Sequence, residues 1–522
     1  MFEERSGAKL LRTASIFLLV VTLFGVLAST APGQPQIGVY IYSAEVMIGW
    51  DPSDSFSDEI VVMNNVYERL LNYDPVMDEF EPVLATHYEK SADAKTWTFY
   101  LRKGVKFHTG GELDAEAVKF SIERTIERGQ GAAFIWDPVD HIEVVDSYTV
   151  RFYLKYPAAL DLVAAAAYAA YIFDPDSADH EWFIAGHEAG TGPYMFESYE
   201  GITRMLLTRF EGYWGGWEGK HFDKVLFNTI PEPSTRRLMI ESGDADFTNR
   251  LPVTEIEALK SKANVEVVEI PSYQNLVAQF NTEKPPLDNK LVRKALAYTI
   301  PYDAIVEGVL KGYGRQARGV IPYGLWGYSE RVKQYTLSLE TARCLLDEAG
   351  YPNGGFKLLL TYVSGDAQER RVAELWKEQL AKLGIELEIR GMPWDPQWAL
   401  ARSPDPNARQ DIFVMYWWPD YTHPQSFMLS LFATEEEISF NLDYYSNPLY
   451  DGLIDRAMQL SATDREEAIN VYAEAQNIVM EDMPGLAIYD MAYVRAKAAT
   501  LKGYADNPSY PHVVFWYNCY RE

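Results

Sequence analysis

The residues of this chain that could carry chemistry stand at spacings that argue against catalysis. Eight histidines occur (His87, His108, His141, His180, His187, His221, His423 and His512), and none belongs to an HExxH pair, the arrangement that turns two imidazoles toward one zinc ion. His180 and His187 are seven residues apart, two turns if helical, too far for one ion. There is no GxSxG to make a nucleophile elbow and no GxxxxGK[ST] to cradle a phosphate, which excludes an ATPase of the phosphate-loop type. Gly312, Tyr313 and Gly314 mimic part of a dinucleotide fingerprint, but they follow a helical pattern and the third glycine is out of place. The two cysteines, Cys344 and Cys519, form no CxxC, so zinc ribbons and thioredoxin motifs are absent. Cys344 lies in a helical pattern beside Leu345 and Leu346, where a buried free thiol fits as well as a disulfide to Cys519. No catalytic residue, metal or cofactor is expected. With 75 acidic residues, carboxylate pairs arise by chance, so composition alone leaves a secreted glycoside hydrolase open. A structural surface protein is the third class.

The elements that must position any site alternate between strand and helix. Trp97, Phe99 and Leu101 alternate with Thr98 and Tyr100, the period of a strand. Asp114 then reads as the N-cap of a helix carrying Val118, Ile122 and Ile126. Ile142–Val145 and Thr149–Leu154 flank Asp146-Ser147 as a hairpin, and Val225, Phe227 and Thr229 mark another strand. In the second half Asp288 opens a helix that Pro301 stops. A helix over Thr341–Ala349 ends at Gly350. One over Arg371–Leu383 ends at Gly384 and leads into a strand at Ile385, Leu387 and Ile389. Glu466–Glu481 is the last long helix. This is an α/β chain, and its 522 residues with 48% apolar content are enough for two or three packed units. No low-complexity linker separates them, which predicts lobes that share crossing strands.

The net charge of −28 disfavours nucleic acid and anionic lipid as partners. At the N-terminus Arg5, Lys9 and Arg12 precede the apolar run Ile16–Ala28, 13 residues long and followed by Ser29, Thr30 and Ala31. That layout is a secretory signal, with cleavage after Ala28 or Ala31, or an uncleaved anchor. No cysteine follows to accept a lipid. The expected location is periplasmic or at the cell surface.

Five blocks in order then carry a resemblance: WTFYLRKGVKFHTGGELDAEAVKFSIER (97–124), GTGPYMFESYEGITRMLLTRFEGYW (190–214), the stretch from Phe280 to Tyr328, LLDEAGYPNGG (345–355) and YWWPDYTHPQSF (416–427). Over residues 65–504 the chain resembles the family-5 extracytoplasmic solute-binding proteins, the oligopeptide, dipeptide and nickel receptors of ABC importers. The resemblance implies a two-lobed periplasmic-binding-protein-like fold (type II, cluster C) with an extra subdomain in lobe I. Lobe I would span 35–277, with the subdomain near 73–198. Lobe II would span 278–492, and 493–522 would return to lobe I. It implies a monomer that closes on a small ligand and delivers it to membrane permease subunits.

By the same resemblance Asp420 matches the aspartate that holds a peptide α-ammonium, since a fixed carboxylate attracts a cation strongly where water is scarce. Here Trp418 and Pro419 replace the family's small residues, and His423 a later aspartate. Trp417 and Trp394 match aromatic positions of the cleft, and Trp418 and Trp50 are weaker candidates; each suits core packing as well. Val363 stands where dipeptide binders carry a carboxylate-pairing arginine, and Arg370 and Arg371 read as solvated. A longer peptide or a neutral ligand therefore fits better than a dipeptide, with an oligosaccharide as the alternative.

Overall fold

Two long antiparallel strands organise the molecule. In this computed structural model, which describes residues 35–43, 49–177 and 179–522, Val265–Phe280 and Gly485–Ala498 pair from Val265↔Ala498 to Gln279↔Gly485. The signal segment expected at 1–31 lies outside the described residues. The ladder shifts register between Pro271 and Asn275. Burial changes character at the same place. Val265–Pro271 is largely part-exposed, whereas Ser272–Phe280 is buried throughout, as for a strand covered on both faces.

On one side of the shift the sheet continues through Ile412–Trp417, Lys357–Val363 and Glu386–Met392. On the other it continues through Phe247–Thr248, Ile37–Tyr42, Lys224–Thr229, Arg204–Arg209 and Tyr194–Tyr199. Each long strand thus gives one end to each of two lobes, as the missing linker implied. The first lobe also carries a separate four-stranded sheet, ordered Ala85–Lys90, Thr96–Leu101, Thr149–Leu154, Val139–Asp146, over which the helix Ala115–Arg128 lies. The lobes are in close contact, and residues 35–522 form one compact unit.

Local chemistry explains most boundaries. The Asp114 side chain accepts a hydrogen bond from the Ala117 amide at 2.9 Å, satisfying an otherwise orphaned N–H of the first turn. Val118 and Ile122 are buried, as is Thr125, but Ile126 is 40% exposed, because a strict four-residue spacing drifts off the buried face of a helix with 3.6 residues per turn. The second-lobe helix begins one residue later than expected. Asn289, not Asp288, caps Lys290–Ala297 by accepting from the Leu291 amide. The helix Ala367–Ala381 precedes Gly384 at φ +75°, and the last long helix is Arg465–Asp482. Gly190, in the second family block, lies so close to Val66 that a Cβ would collide with its carbonyl. Cys344 and Cys519 are both free, and Cys344 is exposed rather than buried, since it sits on the outward side of the helix Leu339–Glu348. Among the described residues no helix is long and apolar enough to cross a membrane.

Candidate functional site

The strand Ile412–Trp417 runs beside the first crossover strand, with Trp417 opposite Asn275. It ends there because Pro419 cannot donate to a ladder. The loop that follows carries Trp418, Asp420, Tyr421, Thr422 and His423 before the helix Gln425–Phe432. The site therefore sits at the edge of the second lobe, beside the crossover.

Ser426 fixes the carboxylate. Its hydroxyl donates to Asp420 Oδ2 at 2.7 Å and accepts from the Asp420 amide at 3.0 Å. The Ser426 carbonyl accepts from Trp417 Nε1 at 2.8 Å, so one residue orients both the aspartate and its neighbouring tryptophan. Among the described residues no lysine, arginine or histidine pairs with Asp420. Burial pushes its carboxyl up to about 6, against a smaller opposing effect of the Ser426 hydroxyl. A desolvated carboxylate with a single hydroxyl partner is set up to gain from a cation.

An aromatic row leads to this carboxylate. Trp417 meets Phe440 edge-on at 4.9 Å, Phe440 meets Trp398 at 5.2 Å, and Trp398 stacks on Trp394 at 5.3 Å. Trp417 is buried and Trp394, first residue of the helix Trp394–Ala401, is 41% exposed. The row thus offers apolar surface at its outer end. Trp398, Phe440 and Ser426 are absent from the sequence-based expectation. Of these, only the MPWDPQW spacing, which puts Trp394 and Trp398 four apart on one helical face, was a usable signal.

Trp418 behaves differently. Its Nε1 donates to Tyr168 Oη of the first lobe at 3.0 Å, so the side chain bridges the lobes. Trp50 corrects the expectation for that residue. It is 1% exposed, packed edge-on between Phe196 and Tyr199 at 5.2 and 5.4 Å, and has no surface to offer a ligand. His423, in the place of an acidic residue, is buried and held neutral by burial and by Arg465 nearby. Arg370 and Arg371 are exposed and paired with Glu374, as expected of solvated residues.

Asp51, Asp54 and His180 are the one group among the described residues that could hold a metal ion, with ligand atoms within 4.8 Å of one another. Arginines already hold that position. Arg124 binds both oxygens of Asp51 at 2.7 Å, and Arg128 pairs with Asp54 and approaches His180 Nδ1 at 3.0 Å. A cation there would face two guanidinium groups.

Two lobes on one sheet, divided at a pair of crossover strands and carrying, beside the seam, an aromatic row and a half-buried carboxylate without a cationic partner among the described residues, define the two-lobed class of ligand-binding receptors. The chain belongs to the bacterial extracellular solute-binding proteins, family 5, whose middle region matches residues 79–438. It is 31% identical over 453 residues to the probable D,D-dipeptide-binding periplasmic protein DdpA of Escherichia coli, covering 85% of this chain and 86% of the other. It is 30% identical over 463 residues to the glutathione-binding protein GsiB of Pectobacterium atrosepticum, covering 87% and 88%. Its fold is similar to that of the Helicobacter pylori periplasmic binding protein DppA in complex with the peptide STSA, with a TM-score of 0.82 and 26% identity over 94% of this chain and 99% of that one. Members of the family are binding proteins, not enzymes.

Trp394→Ala is expected to weaken ligand binding about two- to tenfold, the range of one aromatic contact. The unliganded melting temperature should move by less than about 2 °C, since half-exposed residues carry little core packing. Isothermal titration and a thermal melt read the two effects. A large loss of melting temperature would make Trp394 a packing residue.

Proposed function

We propose that this protein is the extracytoplasmic receptor of an ABC importer and captures peptides, preferentially oligopeptides, by their free α-ammonium between two closing lobes. The observation that carries this reading is Asp420, a desolvated carboxylate with no cationic partner among the described residues. A ligand ammonium would supply that partner, and contacts to both lobes would favour the closed form. The relatives that bind D,D-dipeptide, glutathione or the peptide STSA support a peptidic ligand, and nothing among them supports the oligosaccharide reading. Val363 in place of an arginine supports a ligand longer than a dipeptide. Residues 35–277 and 493–522 would form lobe I and 278–492 lobe II, with residues 1–31 directing export and the protein acting as a monomer on its permease subunits.

Native mass spectrometry of the purified protein, followed by denaturation and identification of released small molecules, tests the reading. A co-purified peptide mixture supports it, and a ladder of hexose masses would overturn it. The pH dependence is a second test. The folded carboxyl of Asp420 takes up its proton near pH 6, so affinity for an ammonium ligand should be level above that pH. It should fall by up to about tenfold per unit below it. Affinity flat from pH 7 to 4 would remove Asp420 from the ammonium site.

A further inference from the structure

The two lobes hold each other through contacts that involve no ligand. Three of them lie along the loop that carries Asp420. Trp418 Nε1 reaches Tyr168 Oη at 3.0 Å on one side of it, Thr422 Oγ1 reaches Ser509 Oγ at 2.5 Å on the other, and Tyr421 is buried in the core cluster of the first lobe. The loop is therefore clamped to the opposite lobe on both sides of the carboxylate.

A charged contact stands further out. Arg465, first residue of the last long helix in the second lobe, donates through Nη1 to both oxygens of Asp78, at 2.9 and 3.2 Å. Asp78 lies at the tip of the first-lobe hairpin Leu71–Asp74/Glu79–Pro82, held at φ +54° and fixed by a 2.6 Å hydrogen bond from Tyr73 Oη. The left-handed backbone conformation costs energy for a residue with a Cβ, so the hairpin presents this carboxylate at a conformational cost. The Arg465 guanidinium carbon also lies 4.6 Å from the Trp326 ring centre, and Trp326 Nε1 donates to the Thr422 carbonyl at 2.8 Å. A chain of contacts thus runs from Asp78 through Arg465 and Trp326 into the loop two residues from Asp420.

We propose that Arg465 and Asp78 form a latch, with Trp326 as its link to the Asp420 loop, that biases the ligand-free receptor toward the closed form. Both are positioning residues for capture and not ligand contacts. The proposal rests on the two-lobe closure reading but not on the identity of the ligand. Asp78 is 63% exposed and Arg465 34% at the side chain, so the latch is within reach of salt. An exposed pair of this kind shifts an equilibrium by about two- to fivefold, enough to change how often an empty receptor opens without locking it. Opening must break the latch and move the Asp420 loop together.

Single-molecule energy transfer tests this on protein stripped of ligand by unfolding and refolding. One dye goes on the exposed Cys344 of the second lobe and the other on Lys119→Cys in the first, while buried Cys519 stays unlabelled. Wild type should be mostly closed in about 50 mM salt and open about two- to fivefold more often in about 500 mM, where the screening length is shorter. Asp78→Lys and Arg465→Glu should each raise the open fraction at low salt, and the double reversal should restore it. Circular dichroism confirms that each variant folds. Folded single variants with wild-type open fractions would overturn the latch. So would a double variant that stays as open as the singles, because that points to damage in the hairpin or helix end. If the protein binds no peptide yet shows salt-dependent opening and charge-swap rescue, the peptide reading fails and the latch stands.

Discussion

Asp420→Asn should yield a receptor that is more stable when empty and nearly unable to hold a cationic ligand. Both effects have one cause. Moving a carboxyl from its ordinary 3.8 to about 6 corresponds to about 3 kcal/mol of unfavourable burial at pH 7. Asparagine keeps an oxygen to accept from the Ser426 hydroxyl and removes the charge. The empty variant should gain about 1–3 kcal/mol at pH 7, and the gain should shrink as the pH falls. The sign follows from proton uptake. The folded carboxyl binds its proton near pH 6 and the unfolded one near 3.8, so acidification through this window relieves the wild-type cost. Affinity for a ligand with a free ammonium should drop by about two to three orders of magnitude, as when one partner of a desolvated charge pair is lost. Denaturant melts at pH 7 and 4.5, with titrations of a peptide and its N-acetylated form, read all of this. A variant less stable than wild type when empty would show that Asp420 is a structural residue.

Ser426→Ala is the second large effect, and its pattern differs. The serine hydroxyl both donates to the Asp420 carboxylate and accepts from the Asp420 amide. Its loss leaves the charge in place but removes the one side-chain donor the carboxylate has among the described residues, and the Asp420 amide loses its acceptor. Hydrogen bonds to a charged group contribute about 1.5–3 kcal/mol, so ligand affinity should fall about ten- to a hundredfold. The pH at which binding declines should move above 6, because burial, the largest influence on the carboxyl, then meets less opposition and favours the neutral form. Unlike Asp420→Asn, the empty protein should become less stable. A titration series from pH 5 to 8 separates the two variants. An unchanged pH profile would mean that Ser426 does not set the state of Asp420.

The elements were legible where a residue's local chemistry decided them. Asp114, Gly350 and Gly384 mark helix ends in sequence because a cap or a left-handed turn needs only its neighbours. The split of one sheet between two lobes was legible only as a missing linker. Nothing in Val265–Phe280 says that its two ends belong to different lobes, although the switch from part-exposed to continuous burial follows from it. The site was legible in part. Asp420 and Trp394 came from the family pattern. Ser426, Phe440 and Trp398 did not, because their roles depend on a helix and two loops folding back onto one strand end. Trp50 shows the opposite failure. A tryptophan near the cleft by chain position is drawn into the core by Phe196 and Tyr199, a choice that side-chain type cannot reveal.

The crossover strands also set an order of events during synthesis. The first lobe cannot complete its sheet from its own N-terminal part. Phe247 and Thr248 pair with Lys497 and Ala496, Arg521 holds Asp246, and the Trp516 ring lies against Gly38. All of these partners lie far along the chain from the residues they hold. Until these partners have been made and released, the first lobe is unfinished, and its long-range pairings are the slow kind to form. The same connection that couples the lobes in the finished receptor makes completion of the first lobe wait for residues beyond the second.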